Sequence, residues 1–224
     1  MPPDRVQPLR RAHIPVAANV LAAALADDPG YRAMLPDVRR RIPELTAVYR
    51  MTLADALTHG RGVVTTLGDV ITGAAAVYPP GTYPMTPLRW GRRATGIVRL
   101  ATLAREHSAA LSRFGRVTSS GVPTDAWYVE ALGVRPDLQR LGRGRLLIDA
   151  VLAMVDEAGD ASYLETTNPA NVDYYALRGY VRTEARMPVV PETPEGPWIL
   201  PMRRPSAAER DAVPTSENTV AAVD

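Results

Sequence analysis

The sequence predicts an α/β fold built on a mixed sheet, and three observations carry that prediction. Residues 62–78 form two runs of β-branched and small residues around Gly68-Asp69, between stretches of helical period. Residues 126–134 are the strongest strand in the chain, and a loop with two glycines leads from them into an amphipathic helix. Another strand, Ser162–Thr166, follows that helix directly. A strand, a helix and a strand in this order make a parallel pair with a right-handed crossover.

Composition narrows the chemistry. Of 224 residues, 46% are apolar and 22% charged, the balance of an ordinary globular protein. The formal net charge of +2 and the lack of a basic stripe with interleaved aromatics give no sign of a nucleic-acid partner. Cysteine is absent, which removes disulfides, thiolate nucleophiles and cysteine metal sites. The three histidines, His13, His59 and His107, are far apart, so no metal site is expected. All 26 basic residues are arginine, which excludes a lysine Schiff base and the lysine of a nucleotide-binding phosphate loop. No apolar run is long enough for a membrane span and Met1–Arg11 lacks a signal-peptide core, so a cytoplasmic protein is expected.

Along the chain, a short strand near Val6–Leu9 leads into a helix with Pro15 in its first turn, stopped at Asp27-Asp28-Pro29-Gly30. A second helical stretch runs from about Asp37 to His59, with a break or late start near Pro43 and Gly60 at its end. The hairpin Gly62–Leu67 and Val70–Tyr78 follows, closed by Pro79-Pro80-Gly81. Residues 82–118 return to helical composition. After the strand 126–134, the helix from about Gly142 to Ala158 buries a broad face with Leu146, Leu147, Ala150, Val151, Met154 and Val155. The strand Ser162–Thr166, a short helix Asn171–Arg178 stopped by Gly179, and strands near 180–190 and 197–203 complete a single domain over residues 1–204. Residues 205–224 lack periodicity and read as a disordered tail.

The chemistry concentrates in the loop Val134–Arg145. Gly142 and Gly144 allow a tight turn and close approach of the backbone to a ligand. The helix that begins there offers free N–H groups and a positive dipole end, an anion site suited to phosphate or pyrophosphate. Arg140, Arg143 and Arg145 add charge around it. Two glycines before a helix also fit a plain strand-to-helix turn. Dinucleotide binding is disfavoured because Leu147 stands where a third glycine belongs.

The surrounding residues are more specific. The string Leu132-Gly133-Val134-x-Pro136-x-x-Gln139-x-x-Gly142-x-Gly144 resembles the central motif of the GNAT acetyltransferase superfamily. The later string Tyr163-Leu164-Glu165-Thr166, then Asn171-x-x-Tyr174-Tyr175-x-x-x-Gly179-Tyr180, is similar to the next strand and helix of that family. Ala26-Asp27-Asp28-Pro29 and Trp127-Tyr128 extend the likeness toward its puromycin N-acetyltransferase-like branch.

The resemblance implies a mixed, largely antiparallel sheet whose central parallel pair splits around acetyl-CoA, with helices on both faces. It implies main-chain contacts from Leu132 and Val134 to the pantetheine arm. Gln139, Arg140, Leu141, Gly142, Arg143 and Gly144 would cradle the pyrophosphate, with Arg140 where the family often has glycine. Asn171 would bind the CoA arm, and Tyr175, four residues on and on the same helix face, would protonate the leaving thiolate. Tyr175 also suits packing with Tyr174 and Tyr180. Glu130 is the candidate base, with exposure or a structural ion pair as its alternative; a bulge is expected hereabouts, so strand parity does not decide its facing, and Glu165 is held in reserve. No metal is implied, and a homodimer is common in the fold.

The implied reaction is transfer of acetyl to a small-molecule primary amine, with Tyr31, Tyr83, Trp90 and Trp198 candidates for the acceptor groove. Peptide or protein N-terminal acetylation, which needs an open groove, and a non-catalytic CoA-binding module are the competing readings.

Overall fold

The structure, a computed structural model, describes residues 4–191, 193 and 195–212. Strand β1 (Asp4–Pro8) leads through a 3-10 turn at Arg11–His13 into helix α1 (Ile14–Leu25), whose apolar face is wholly buried at Ala17, Ala18, Leu21 and Ala22. Helix α1 stops just before Asp27–Gly30, as expected, and the same residues then open a short helix, α2 (Pro29–Met34). Asp28 caps it, its carboxylate accepting from the Gly30 N–H at 3.0 Å, and Pro29 sits where no N–H is required.

Helix α3 (Val38–His59) runs unbroken through Pro43. The Asp37 side chain caps its first turn, accepting from the Arg39 N–H at 2.9 Å. Arg41, 4% exposed, fastens the same turn by donating to the carbonyls of Leu35, Ala26 and Pro36 at 2.6, 3.0 and 3.1 Å. These anchors lie before Pro43 and hold the helix where propensity alone would break it.

The hairpin forms as expected, with β2 (Arg61–Leu67) and β3 (Val70–Tyr78) antiparallel. Residues 82–118 fold as three helices, α4 (Pro87–Arg92), α5 (Ala94–Leu103) and α6 (Ser108–Gly121). Strand β4 (Ala126–Val134) follows, then a 3-10 turn at Pro136–Leu138, α7 (Arg143–Ala158), β5 (Ala161–Thr166) and α8 (Ala170–Ala176). The expected strands beyond Tyr180 are two-residue pieces, β6 (Val181–Arg182) and β7 (Met187–Pro188), paired to β8 (Trp198–Arg204).

Within the expected tail, Ala207–Ala212 form helix α9. The Ser206 hydroxyl accepts from the Glu209 N–H at 3.2 Å, and the Glu209 carboxylate accepts from the Ser206 N–H at 2.7 Å, a reciprocal cap with no apolar period to announce it. Residues 213–224 of that tail lie outside the described residues.

The sheet is open and mostly antiparallel, in the order β1-β2-β3-β4-β5-β8-β6, with β7 also on β8. Its one parallel pair, β4 and β5, is in register from Ala126↔Ala161 to Val129↔Leu164 and no further. Helices α1 and α3 pack on one face, where Leu21, Leu45, Leu53, Tyr78 and Tyr128 share a core. Helix α7 covers the other with Leu147, Ile148, Val151 and Val155. This is the mixed sheet, covered on both faces, that the sequence predicts.

Candidate active site

Past Val129 and Leu164, strands β4 and β5 part. The Arg135 N–H donates to the Thr72 carbonyl at 2.9 Å, so by strand alternation the main-chain groups of Leu132 and Val134 point away from β3, toward the parted side. Val134 is not wholly free, because its carbonyl accepts from Gln139 Nε2 at 3.0 Å. Gln139 thereby folds the loop back onto its own strand.

The loop that follows is shaped for close approach. Gly142 has φ 82°, and a Cβ there would meet nothing within 4 Å; a Cβ on Gly144 would crowd the Tyr174 hydroxyl at 3.3 Å. The N–H groups of Arg143, Gly144 and Arg145 head the long helix α7 without helical partners of their own. A cradle of this kind, open over Gly142 and rimmed with N–H donors, fits a pyrophosphate. Arg143 enters it through its backbone only: its guanidinium is 3% exposed and binds Asp4 on β1 at 2.9 Å. That corrects the charge assigned to its side chain, since burial turned it into a strut between α7 and β1. Arg145 is exposed and lies against Asp149 one turn on.

Arg140 has φ 60°, the left-handed region that L side chains avoid. The expected outcome for Arg140→Gly is a fold more stable by about 1 kcal/mol, read by chemical denaturation.

On the opposite side of the parted strands, Asn171 and Tyr175 line one cavity together with Glu130, Leu132 and Glu165. Asn171 Nδ2 donates to the Thr166 hydroxyl at 3.3 Å. Tyr175 packs edge-on to Tyr174 and Tyr180, at 5.2 and 5.8 Å between ring centres, and burial raises its pKa far above that of a free phenol. It packs against both rings and lines the cavity.

Glu130 is the residue left over at a β-bulge: Ala76 pairs with Ala131, but Val77 pairs with Val129. The bulge turns Glu130 toward α3, where the Thr52 hydroxyl donates to Oε1 at 3.1 Å. Its Oε2 is buried without a hydrogen-bond partner among the described residues. Burial pushes its pKa up to about 7, with the buried Asp55 carboxylate adding to the rise and the Thr52 and Tyr78 hydroxyls and the Arg89 guanidinium opposing it.

Glu165 stands one residue past the last parallel pair, as Glu130 does on the adjacent strand. It accepts from the Tyr128 and Tyr163 hydroxyls at 3.2 and 3.0 Å. Burial again raises its pKa to about 7, and the Glu130 carboxylate adds to the rise. The cavity thus carries two buried carboxylates whose pKa values burial raises toward neutrality.

The cavity, of about 870 Å3, extends over the sheet beneath α3, α5 and α6. Tyr31, Tyr83 and Trp90 line it as expected. Trp198 is not among its lining residues; its ring stacks beneath the Arg186 guanidinium at 4.5 Å. Two contributors had gone unrecognised. Asp28, besides capping α2, accepts from the Thr167 hydroxyl, and burial raises its pKa. Thr52, the partner of Glu130, lies inside α3, where only the periodicity of a buried face could have flagged it.

Among the described residues no group of three or more His, Cys, Asp or Glu could hold a metal ion, and no helix is long and apolar enough to cross a membrane.

A model of the acetyltransferase (GNAT) family matches residues 39–180, more than half of the chain. Several solved structures share the fold. One is described as histone acetyltransferase HPA2 and related acetyltransferase from Corynebacterium glutamicum; it is 22% identical, with 91% of this chain and 97% of that chain covered and a TM-score of 0.66. The ribosomal-protein-S18-alanine N-acetyltransferase of Escherichia coli is 15% identical, with 91% and 94% covered and a TM-score of 0.53. The polyamine N-acetyltransferase of Drosophila melanogaster is 15% identical, with 91% and 100% covered and a TM-score of 0.52.

Proposed function

The chain belongs to the acetyltransferase (GNAT) family, and from that premise we propose that it moves an acetyl group from acetyl-CoA to the primary amine of a small molecule by direct attack. The observation that carries the reading is Glu130 Oε2, a buried carboxylate oxygen without a partner, in a cavity that opens onto the parted strands. Acetyl-CoA, when bound, supplies the activated acyl carbon and the leaving thiolate.

Leu132 and Val134, through their main-chain N–H groups, and the first turn of α7, through its own, hold that substrate. Gln139 fixes the loop, and Asn171 orients the arm between them. Glu130 takes the proton that the amine loses as the new C–N bond forms. With a pKa near 7 it is ionised in half the molecules at neutral pH and still basic enough to accept, the optimum for a general base. Tyr175 donates a hydrogen bond to the sulfur as the C–S bond breaks. Because burial holds its proton tightly, it stabilises the thiolate without becoming a phenolate, and the proton gained by Glu130 balances the charge of the departing thiolate.

Tyr175→Phe is therefore expected to lower kcat roughly ten- to hundredfold, the worth of one hydrogen bond to a charged group. The dissociation constant for CoA, measured by calorimetry, should change less than twofold.

Relatives of this fold are named for both polyamine and protein-terminal acetylation, so the fold alone does not choose the acceptor. A cavity walled by helices α3, α4, α5 and α6 favours a small molecule over a peptide, which needs an open groove. Within the family, Ala26-Asp27-Asp28-Pro29 and Trp127-Tyr128 support a place near the puromycin N-acetyltransferase-like branch. Their tasks here are structural as well: Asp28 caps α2, and Trp127 Nε1 donates to Asp160 at 2.9 Å. No antibiotic specificity follows from them.

The test is thiol release on incubation with acetyl-CoA and a panel of primary amines. Release no faster than acetyl-CoA hydrolysis across the panel would remove the proposal.

A further inference from the structure

The acceptor cavity is asymmetric in charge. Its carboxylates are Glu130, Glu165 and Asp28, contributed by the two central strands and the α1–α2 corner. None comes from the helices above: α3, α4, α5 and α6 line it with Met51, Trp90, Ile97, Leu100, Leu111 and Phe114. Of the α6 hydroxyls that line it, those of Ser108, Thr118 and Ser120 are turned onto nearby carbonyls at 3.1, 3.0 and 2.8 Å, and Ser119 pairs with the Tyr83 hydroxyl at 3.2 Å, so the polarity that this wall adds is uncharged. The charged groups that the helices do bring are cations. Arg93 donates to the Ala54 carbonyl at 2.6 Å, and Arg116 is exposed at the rim.

An acceptor in this cavity meets negative charge at one end only. A second ammonium group carried away from the reacting nitrogen would leave water for apolar side chains and approach two arginines, without a carboxylate to receive it. A distal carboxylate would face Arg93, already bonded to a carbonyl, and would lose hydration against the same apolar wall. An uncharged hydrocarbon or aromatic body loses nothing there and gains by burial.

We propose that the acceptor is a lipophilic primary monoamine, with its nitrogen at the Glu130–Glu165 floor and an uncharged apolar body among the helical walls. This rests on the acetyltransferase reading for the identity of the site, and its test is a binding measurement that does not need turnover.

Calorimetric titration of the full-length, CoA-saturated protein with three ligands of equal chain length isolates the question: hexylamine, hexanediamine with an amine at each end, and ω-aminohexanoate. Hexylamine is expected to bind at least tenfold more tightly than either difunctional ligand. Lengthening the alkylamine should tighten binding roughly fourfold per added methylene. A diamine or amino acid that binds as well as the monoamine, an affinity independent of chain length, or no monoamine binding in the millimolar range would overturn the proposal.

A variant adds a second reading. Leu100→Glu places a carboxylate in the wall and is expected to shift the monoamine-to-diamine preference at least tenfold toward the diamine. If it does not fold, the ligand series on the unaltered protein still decides. Thiol release measured in parallel separates the two claims. Transfer that favours diamines leaves the acetyltransferase reading standing and removes this one. Monoamine binding in the expected order without thiol release does the reverse.

Discussion

Glu130→Gln is expected to lower kcat/KM at neutral pH by about a hundred- to ten-thousandfold, the range for a lost general base, while making the fold more stable. The two effects share one cause. Burial raises the Glu130 pKa from 4.5 to about 7, so the folded state favours the protonated form and resists the ionised one that catalysis needs.

The sign of the stability effect follows from linkage. In the unfolded chain this glutamate loses its proton near pH 4.5; in the fold it keeps it to about pH 7. Its contribution to stability is complete below pH 4.5 and is lost as pH rises from there to about 7. At pH 8 the ionised side chain destabilises the fold on the order of 3 kcal/mol, at 1.36 kcal/mol per pH unit. The glutamine variant should therefore melt several degrees above wild type at pH 8, at about 2–4 °C per kcal/mol, and with it at pH 4.5. Wild-type kcat/KM should fall on the acid side of about pH 7, and the variant should lose that limb. Glu165 titrates in the same range, so the acid limb carries a contribution from it as well. Parallel loss of activity and melting temperature in Glu130→Gln would assign the residue a structural task instead.

The facing of Glu130 also marks where sequence reasoning reached its limit. Strand alternation predicts a side from the count of residues, and one bulge between Ala76 and Val77 on the partner strand resets the count. A bulge is expected near Glu130, so the count alone leaves its facing open; where the bulge falls depends on pairing with residues more than fifty positions earlier. The cradle was legible for the opposite reason. Gly142 and Gly144 act through their own backbone, and Asn171 and Tyr175 share a face by helical spacing alone. The parallel pair and the helix between its strands were legible as well, since both are contiguous in sequence. Arg143 shows the boundary between the two cases. Its backbone opens α7 next to Gly142, as local sequence predicts, but the destination of its side chain was set by Asp4, at the other end of the chain.

The same distinction governs the wall of the acceptor cavity and gives the second large expectation. Asp55 on α3 is wholly buried and receives the Arg89 guanidinium of α4, itself 8% exposed. Arg89 also donates to the Thr82 carbonyl ahead of its helix, and Arg93 approaches Asp55 at 3.9 Å. The helices α4 and α5, which carry Trp90, Ile97 and Leu100 to the cavity, are thereby fastened to α3 through one carboxylate.

Asp55→Leu leaves Arg89 buried and unpaired, and is expected to destabilise the protein by about 3–5 kcal/mol. Acceptor KM should rise as the wall loosens, and the Glu130 pKa should fall, because the Asp55 charge that raises it is gone while the Arg89 charge that lowers it remains. The double variant Asp55→Leu/Arg89→Met removes both charges and should recover most of the lost stability, since well-packed apolar pairs often replace buried ion pairs without penalty. Urea denaturation of the wild type, both single variants and the double variant closes the cycle. A double variant as unstable as Asp55→Leu would mean that the acid holds the wall through its packing and not through Arg89. Recovery of stability together with acceptor KM would show that position, more than charge, is what the pair supplies to the site.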